Sequence, residues 1–250
     1  MSERDAERSV SQTVRAQLAL RDMILSGRLR PGERISELQA VDITGVSRTP
    51  VRLALVRLED EGLLQAIPSG SFMVKAFTER DILDSIELRG TLEGLAARFA
   101  AERGVSARSL EPLKECLADL DQLVRQDPIS VEAFSAYVTM NARFHALLNE
   151  LSASAPLIRE IDRVSALPFA SPSAFVMAQS ALHEAQQILL IAQDHHRIVV
   201  DAIENREGAR AEAIMREHAR LAVRNLRLAL RNRTHLDLLP ALALVRTSEI

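Results

Sequence analysis

Three histidines carry most of the potential chemistry of this chain. His145 lies in the run VTMNARFHALLNEL, His196 in AQDHHRIVVDAI and His218 in IMREHARLAV, each amid apolar neighbours at helical spacing. Asn141 stands four residues before His145, so one helix face presents both. Three inward imidazoles plus one oxygen donor can bind a divalent transition metal such as zinc or nickel. Three neutral imidazoles also leave coordination positions open to water or to a ligand carboxylate. A plainer reading of the same residues is a polar pocket whose histidines only hydrogen-bond. His195 sits about 100° round the helix from His196 and belongs at the periphery or the surface. His183 and Gln187 share one helical face and are candidates to line the same cavity.

A second chemistry is written in the run SRTPVRLALVRLEDEGLL. Between Ile43 and Leu58 there are three arginines, Arg48, Arg52 and Arg57, and no acid. A helix opening at Ser47 would carry its first residues into the major groove of duplex DNA. Arginine pairs bidentately with guanine, while Ser47 and Thr49 suit phosphate at the helix N-terminus. An ordinary solvated face is the alternative for these arginines.

Composition bounds the rest. The chain has 250 residues, 47% hydrophobic but only 3% aromatic and without tryptophan, which points to Leu, Ile, Val and Ala packed in helices. The formal net charge is −3, so any nucleic-acid role must come from local clustering. One cysteine, Cys116, permits no internal disulfide and reads as a buried thiol. The polar N-terminus and the lack of long apolar runs predict a soluble cytoplasmic protein without membrane contact.

The elements that must position these residues follow from periodicity and punctuation. Val14, Leu18, Met23 and Ile24 mark a first helix over 10–27. Ser36 caps a second that runs to Ile43. Ser47 is a candidate cap for a third running to Glu61, with Pro50 in its first turn and Val51, Leu53, Val56 and Leu58 able to face the core. LLQAI and SFMVK, split by Pro68-Ser69-Gly70, predict a β-hairpin. Helix, helix, helix and hairpin over 8–76 form a winged helix-turn-helix, with Gly70 letting the wing backbone approach DNA. From Thr78 onward no strand signal appears. Helices are predicted over 78–103, 107–126, 130–152, 155–166, 174–206 and 208–233, an all-α antiparallel bundle spanning 78–233. Residues 234–250 form an apolar tail without assignment, docking on a partner subunit being one option.

These residues carry a resemblance. GRLRPGERISE, TGVSRTPVRLALVRLEDEGLL and IPSGSFMV resemble the DNA-binding domain of the GntR family. The resemblance implies DNA contacts at Arg34, Ser47, Arg48, Thr49, Arg52 and Gly70. Two positions depart from the family pattern: Thr44 replaces a usual Leu, which loosens the expected packing of the second helix, and Leu53 replaces a common Glu. DILDSIELRGTLEGLAARFAAE, FHALLNEL and HRIVVDAI resemble the ligand-binding (FCD) domain of FadR-type members. In metal-binding members an Asp and three His hold a divalent cation, and the matching positions here are Asn141, His145, His196 and His218. The amide is a neutral and weaker donor than the carboxylate it replaces. Arg89 matches an arginine that reaches the effector cavity, and an ion pair with Glu93 or Glu87 at the surface is its competing role. The resemblance implies a homodimeric transcriptional regulator, commonly a repressor relieved by a small carboxylate effector. Two readings from other classes remain. One is a metal-dependent hydrolase, although no acid is placed as a general base and Glu217 points about 100° away from His218. The other is a DNA-binding protein with an unliganded structural bundle.

Overall fold

A computed structural model of the protein describes residues 3–126, 129–167, 169–173, 185–231 and 244–246. They divide into two compact units. The first holds the chain up to Asp81 together with residues 166–167 and 244–246, and the second takes Ile82–Ser165 and resumes at Phe169.

The first unit opens with α1 (Glu3–Leu25), followed by β1 (Arg34–Ile35), α2 (Glu37–Thr44), α3 (Arg48–Asp60), β2 (Leu64–Ala66) and β3 (Phe72–Val74). A reciprocal capping box starts α2: Ser36 accepts from the Gln39 N–H, and the Gln39 side chain accepts from the Ser36 N–H. Gly45, left-handed at φ +63, ends it. Ser47 occupies the N-cap position of α3 but makes no side-chain cap bond, contrary to its expected capping role. The sheet runs β1-β3-β2 and is antiparallel throughout, with Arg34 opposite Met73 and Leu64 opposite Val74. The wing thus has a third strand that the sequence reading missed, since two residues are too few to show a period.

One core assignment is corrected, and one helix buries a face that its large apolar residues do not mark. In α3 the buried stripe is Val51, Ala54, Leu55 and Leu58, while Leu53 is 49% exposed and Val56 also faces outward. In α1 the stripe is Ala16, Leu20 and Ile24, with Val14 and Leu18 exposed. Both stripes follow i, i+4 spacing through small alanines, which a search for large side chains passes over. Thr44 is half-buried, and its hydroxyl donates to the Ala40 carbonyl at 2.7 Å, so it gives the end of α2 a polar anchor.

Beyond the wing, β4 (Phe77–Thr78) pairs in parallel with β5 (Val245–Arg246). This corrects the expectation of no strand after Thr78. Three tail residues find their place on the same chain.

The second unit contains α4 (Glu79–Arg103), α5 (Ala107–Val124), α6 (Val131–Leu151), α7 (Ala155–Ser165), α8 (Ala185–Glu204) and α9 (Gly208–Arg231). These bounds fall within two residues of the spacing-based helices wherever both ends are described; the expected 174–184 stretch lies outside the described residues. Ser106 and Ser130 cap α5 and α6 by accepting from Ser109 and Ala133 N–H groups. Leu113, Leu120, Phe144, Leu148, Val199, Ile203 and Met215 form one buried cluster across α5, α6, α8 and α9. Gly90 and Gly94 let α4 lie close against α9: a Cβ on Gly90 would stand 2.5 Å from the Ala219 Cβ. That approach brings His218 beside the buried polar residues of α4. Among the described residues no helix is long and apolar enough to cross a membrane.

Candidate metal and effector centre and candidate DNA-reading face

His145 on α6, His196 on α8 and His218 on α9 are buried, and their ligand nitrogens lie within 4.8 Å of one another. The Nε2 atoms of His196 and His218 are 3.2 Å apart, as are those of His218 and His145. Nitrogens at about 2.05 Å from a tetrahedral zinc stand about 3.3 Å from each other, so these contacts match the edges of a metal polyhedron.

The surrounding groups decide which nitrogen carries each proton. Glu93 is fully buried in α4, and Arg89 Nη1 donates to its Oε2 at 2.6 Å. Burial pushes the Glu93 carboxyl up, but the Arg89 charge and His145 outweigh it and hold it at about 2. The carboxylate is therefore ionised and can only accept, so His145 Nδ1–H donates to Oε1 at 2.9 Å, which turns Nε2 toward His218. On the other side, Gln193 Nε2 donates to the Leu117 carbonyl at 3.1 Å and to Asp121 Oδ1 at 2.6 Å. Its Oε1 consequently accepts from His196 Nδ1–H at 3.0 Å, which leaves the Nε2 of the neutral ring bare. Burial, followed by the charges of neighbouring histidines, keeps His196 and His218 well below the ordinary histidine pKa, so both are neutral near pH 7. His218 Nε2 therefore faces the Nε2 atoms of both other histidines, that of His196 being a bare lone pair. A divalent cation would satisfy all three, and second-sphere partners that fix imidazole orientation in this way are what metal centres require. The donor set fits such an ion.

A cavity of about 30 Å³ adjoins the cluster, lined by Arg89, Tyr137, Asn141, Leu189, His218 and Asn225 among others. That is room for about two water-sized groups. Several buried polar atoms there have no partner among the described residues: Arg89 Nε, Asn141 Oδ1, His218 Nδ1 and Asn225 Oδ1. Buried polar atoms without partners cost stability unless something fills the role. Here they present a cation edge and two amide oxygens to one small space.

The expected effector residues fare differently. Arg89 is 1% exposed; it pairs with Glu93 inside the bundle and lines the cavity, so the surface ion pair is corrected to a buried one. Glu87 instead pairs with Arg216 and Arg220 at the surface. Gln187 is exposed and absent from the cavity wall, because α8 turns Ile188, Leu189 and Ala192 inward. That corrects its assignment as an effector residue. His183 lies outside the described residues. His195 is half-buried, its ring 6.1 Å from that of His218. Sequence reasoning missed Glu93 as a buried partner, and it missed Gln193, Ser173 and Asn225 altogether. An acid four residues after an arginine in the alanine-rich run of α4 was the one available signal.

The winged unit carries its functional candidates on the outside. Ser47, Arg48, Thr49 and Arg52 are exposed on the first two turns of α3. Arg34 is exposed in β1, and Gly70 is exposed at the wing tip with φ +76. The Arg52 side chain is 73% exposed, its nearest acid being Glu37 at 3.6 Å. Arg57, further along α3, donates to Gln17 at 3.4 Å.

Residues 12–74 match the family described as bacterial regulatory proteins, gntR family, and residues 84–221 match the FCD domain. The chain belongs to the GntR family. It is therefore a DNA-binding transcriptional regulator with an effector domain, not an enzyme, and the hydrolase alternative falls away. This GntR protein is 28% identical over 196 residues to the HTH-type transcriptional regulator YdhC of Bacillus subtilis, covering 78% of this chain and 83% of that one. It is 28% identical over 200 residues to a probable D-xylose utilization operon transcriptional repressor of Paenarthrobacter nicotinovorans, covering 78% and 80%. Among solved structures, Escherichia coli McbR/YncC shares its fold with a TM-score of 0.59 at 19% identity, over 89% of this chain and 98% of that one. The Listeria monocytogenes regulator Lar does so with a TM-score of 0.61 at 17% identity, over 86% and 97%.

Proposed function

We propose that this GntR regulator is a homodimeric repressor whose helical domain senses a small carboxylate through a divalent cation held by His145, His196, His218 and Asn141. The observation that carries the reading is the convergence of three buried imidazoles from three helices, with the Nδ1 atoms of His145 and His196 held outward by Glu93 and Gln193. When bound, zinc or nickel supplies a Lewis-acidic centre with positions open to an anionic ligand. The chain's own residues do the rest. Replacement of the family's aspartate by Asn141 leaves a neutral donor set, so the full positive charge of the ion stays available to an anion. Arg89 Nε meets a carboxylate oxygen beside the cluster, and the Asn225 amide oxygen accepts from a hydroxyl or amine on the same molecule. Glu93 holds Arg89 and His145 together, so a ligand that pulls on either is felt on both α4 and α6.

At the other end, Arg48 and Arg52 read guanine edges, while Ser47, Thr49 and Arg34 bind phosphates and Gly70 brings the wing backbone to the minor groove. Two copies related by a two-fold axis set the half-site spacing. Effector binding to one arrangement of the dimer in preference to another then shifts operator affinity, and a thirtyfold change needs only about 2 kcal/mol of coupling.

Metal analysis after dialysis tests the reading. The full chain retains close to one zinc or nickel per protomer, His145→Ala retains none, and chelation lowers the melting temperature reversibly. Equal metal content in wild type and His145→Ala removes the cation from the proposal and leaves a hydrogen-bonding pocket.

A further inference from the structure

The Asn141 amide lines the same cavity as His218 and is 2% exposed, with its oxygen unpartnered among the described residues. An amide can present either its oxygen or its NH₂ to the cavity, and only the oxygen can ligate a cation. What holds the oxygen in place is legible in the hydrogen bonds. Ser173 Oγ donates its single proton to the Val138 carbonyl at 3.2 Å. Having used that proton, it can only accept, and Asn141 Nδ2 donates to it at 3.0 Å. With the amide reversed, the one hydroxyl proton would serve either the Asn141 oxygen or the Val138 carbonyl, and one of the two bonds would be lost. A carboxylate at this position would need no such control, since its two oxygens are equivalent.

We propose that Ser173 is the positioning residue that locks the Asn141 amide oxygen-inward, which lets a neutral side chain act as the oxygen donor of the histidine cation site. The inference rests on the cation reading of the cluster. It accounts for how the site works without the family's aspartate, and it assigns a role to a residue outside the helices that carry the site.

A double-mutant cycle on the full chain tests it, with cobalt(II) alone as probe and its visible absorption in competition with a chelator as readout. Ser173→Ala weakens cobalt(II) binding by about three- to tenfold, the worth of one hydrogen bond that orients the amide. In the Asn141→Asp background, where no amide can reverse, the same Ser173→Ala change alters affinity by less than about twofold. A packing defect would instead weaken both backgrounds alike, and that result overturns the inference. Wild-type binding that is indifferent to Ser173→Ala overturns it as well while leaving the cation site intact. Failure of the wild type to bind cobalt(II) at all removes the cation reading, and this inference with it.

Discussion

The two ends of this molecule solve opposite problems. The winged unit keeps its charged residues in water: Arg48 and Arg52 project from the first turns of α3, and the fold needs neither of them. The helical unit buries its charges: Arg89 and Glu93 form an ion pair at 1% and 0% exposure, and three histidines close over it. Exposed side chains await a partner and can change with little cost to stability. Buried ones are coupled to the fold, so a ligand that perturbs them acts on the structure itself. A regulator needs both kinds, a reader indifferent to its own stability and a sensor that is not.

That contrast breaks most visibly at Glu93. Glu93→Ala leaves the Arg89 guanidinium buried without its carboxylate and should cost about 3–5 kcal/mol of unfolding free energy by urea titration. A cost within 1 kcal/mol would mean that the sensor's charges are not coupled to its fold. Gly90→Ala comes next. Its methyl would meet Ala219 at 2.5 Å, so α4 and α9 must part, at about 1–3 kcal/mol. The same variant should weaken metal retention, because that contact seats His218.

The reader should behave in the reverse manner. Arg48→Ala and Arg52→Ala are each expected to change unfolding free energy by less than about 0.5 kcal/mol. Each should nonetheless weaken binding to a selected operator by about 1–3 kcal/mol in a fluorescence anisotropy titration at fixed salt. An Arg52→Ala protein with full operator specificity would dismiss α3 as the reading helix.

Acid sharpens the comparison most gently. His196 and His218 are held neutral by burial, so the unfolded chain takes up protons first as pH falls below 6.5. Their contribution is complete above that pH and is lost progressively below it. Glu93, held at about 2 against an ordinary 4.5, adds a second loss as pH falls through that interval. Urea midpoints at pH 7.5 and 5.5 should therefore differ for the wild type and differ less for His196→Gln. A midpoint that stays level over that range would contradict neutral, buried histidines.

The same division explains what could be read without coordinates. The winged unit is written locally: the capping box at Ser36 and Gln39, Pro50 in a first helical turn, and Gly70 between two apolar runs each announce themselves within a few residues. Its two-residue strands, Arg34–Ile35, Phe77–Thr78 and Val245–Arg246, left no trace. The sensor's helices were legible from periodicity, and its three histidines from their types. What positions them was not. Glu93, Gln193 and Ser173 meet their partners across 52, 72 and 32 residues of sequence, and nothing in the local pattern marks such pairs. Gln187 failed for the converse reason: a shared face with His183 does not say which way that face turns. Leu53 and Val56 failed because hydrophobicity was weighed above spacing, and alanine filled the true stripe.

The central claim is that the buried histidine cluster and the exposed arginine helix act as one switch. The most direct measurement is the affinity of the full chain for an operator selected from random duplex, with the protein first stripped by chelator and then loaded with zinc plus a small carboxylate such as acetate. The account predicts at least about a fivefold difference in operator affinity between the two states, abolished in His145→Ala. Identical affinities in the stripped and loaded wild type, with zinc demonstrably bound, would contradict it.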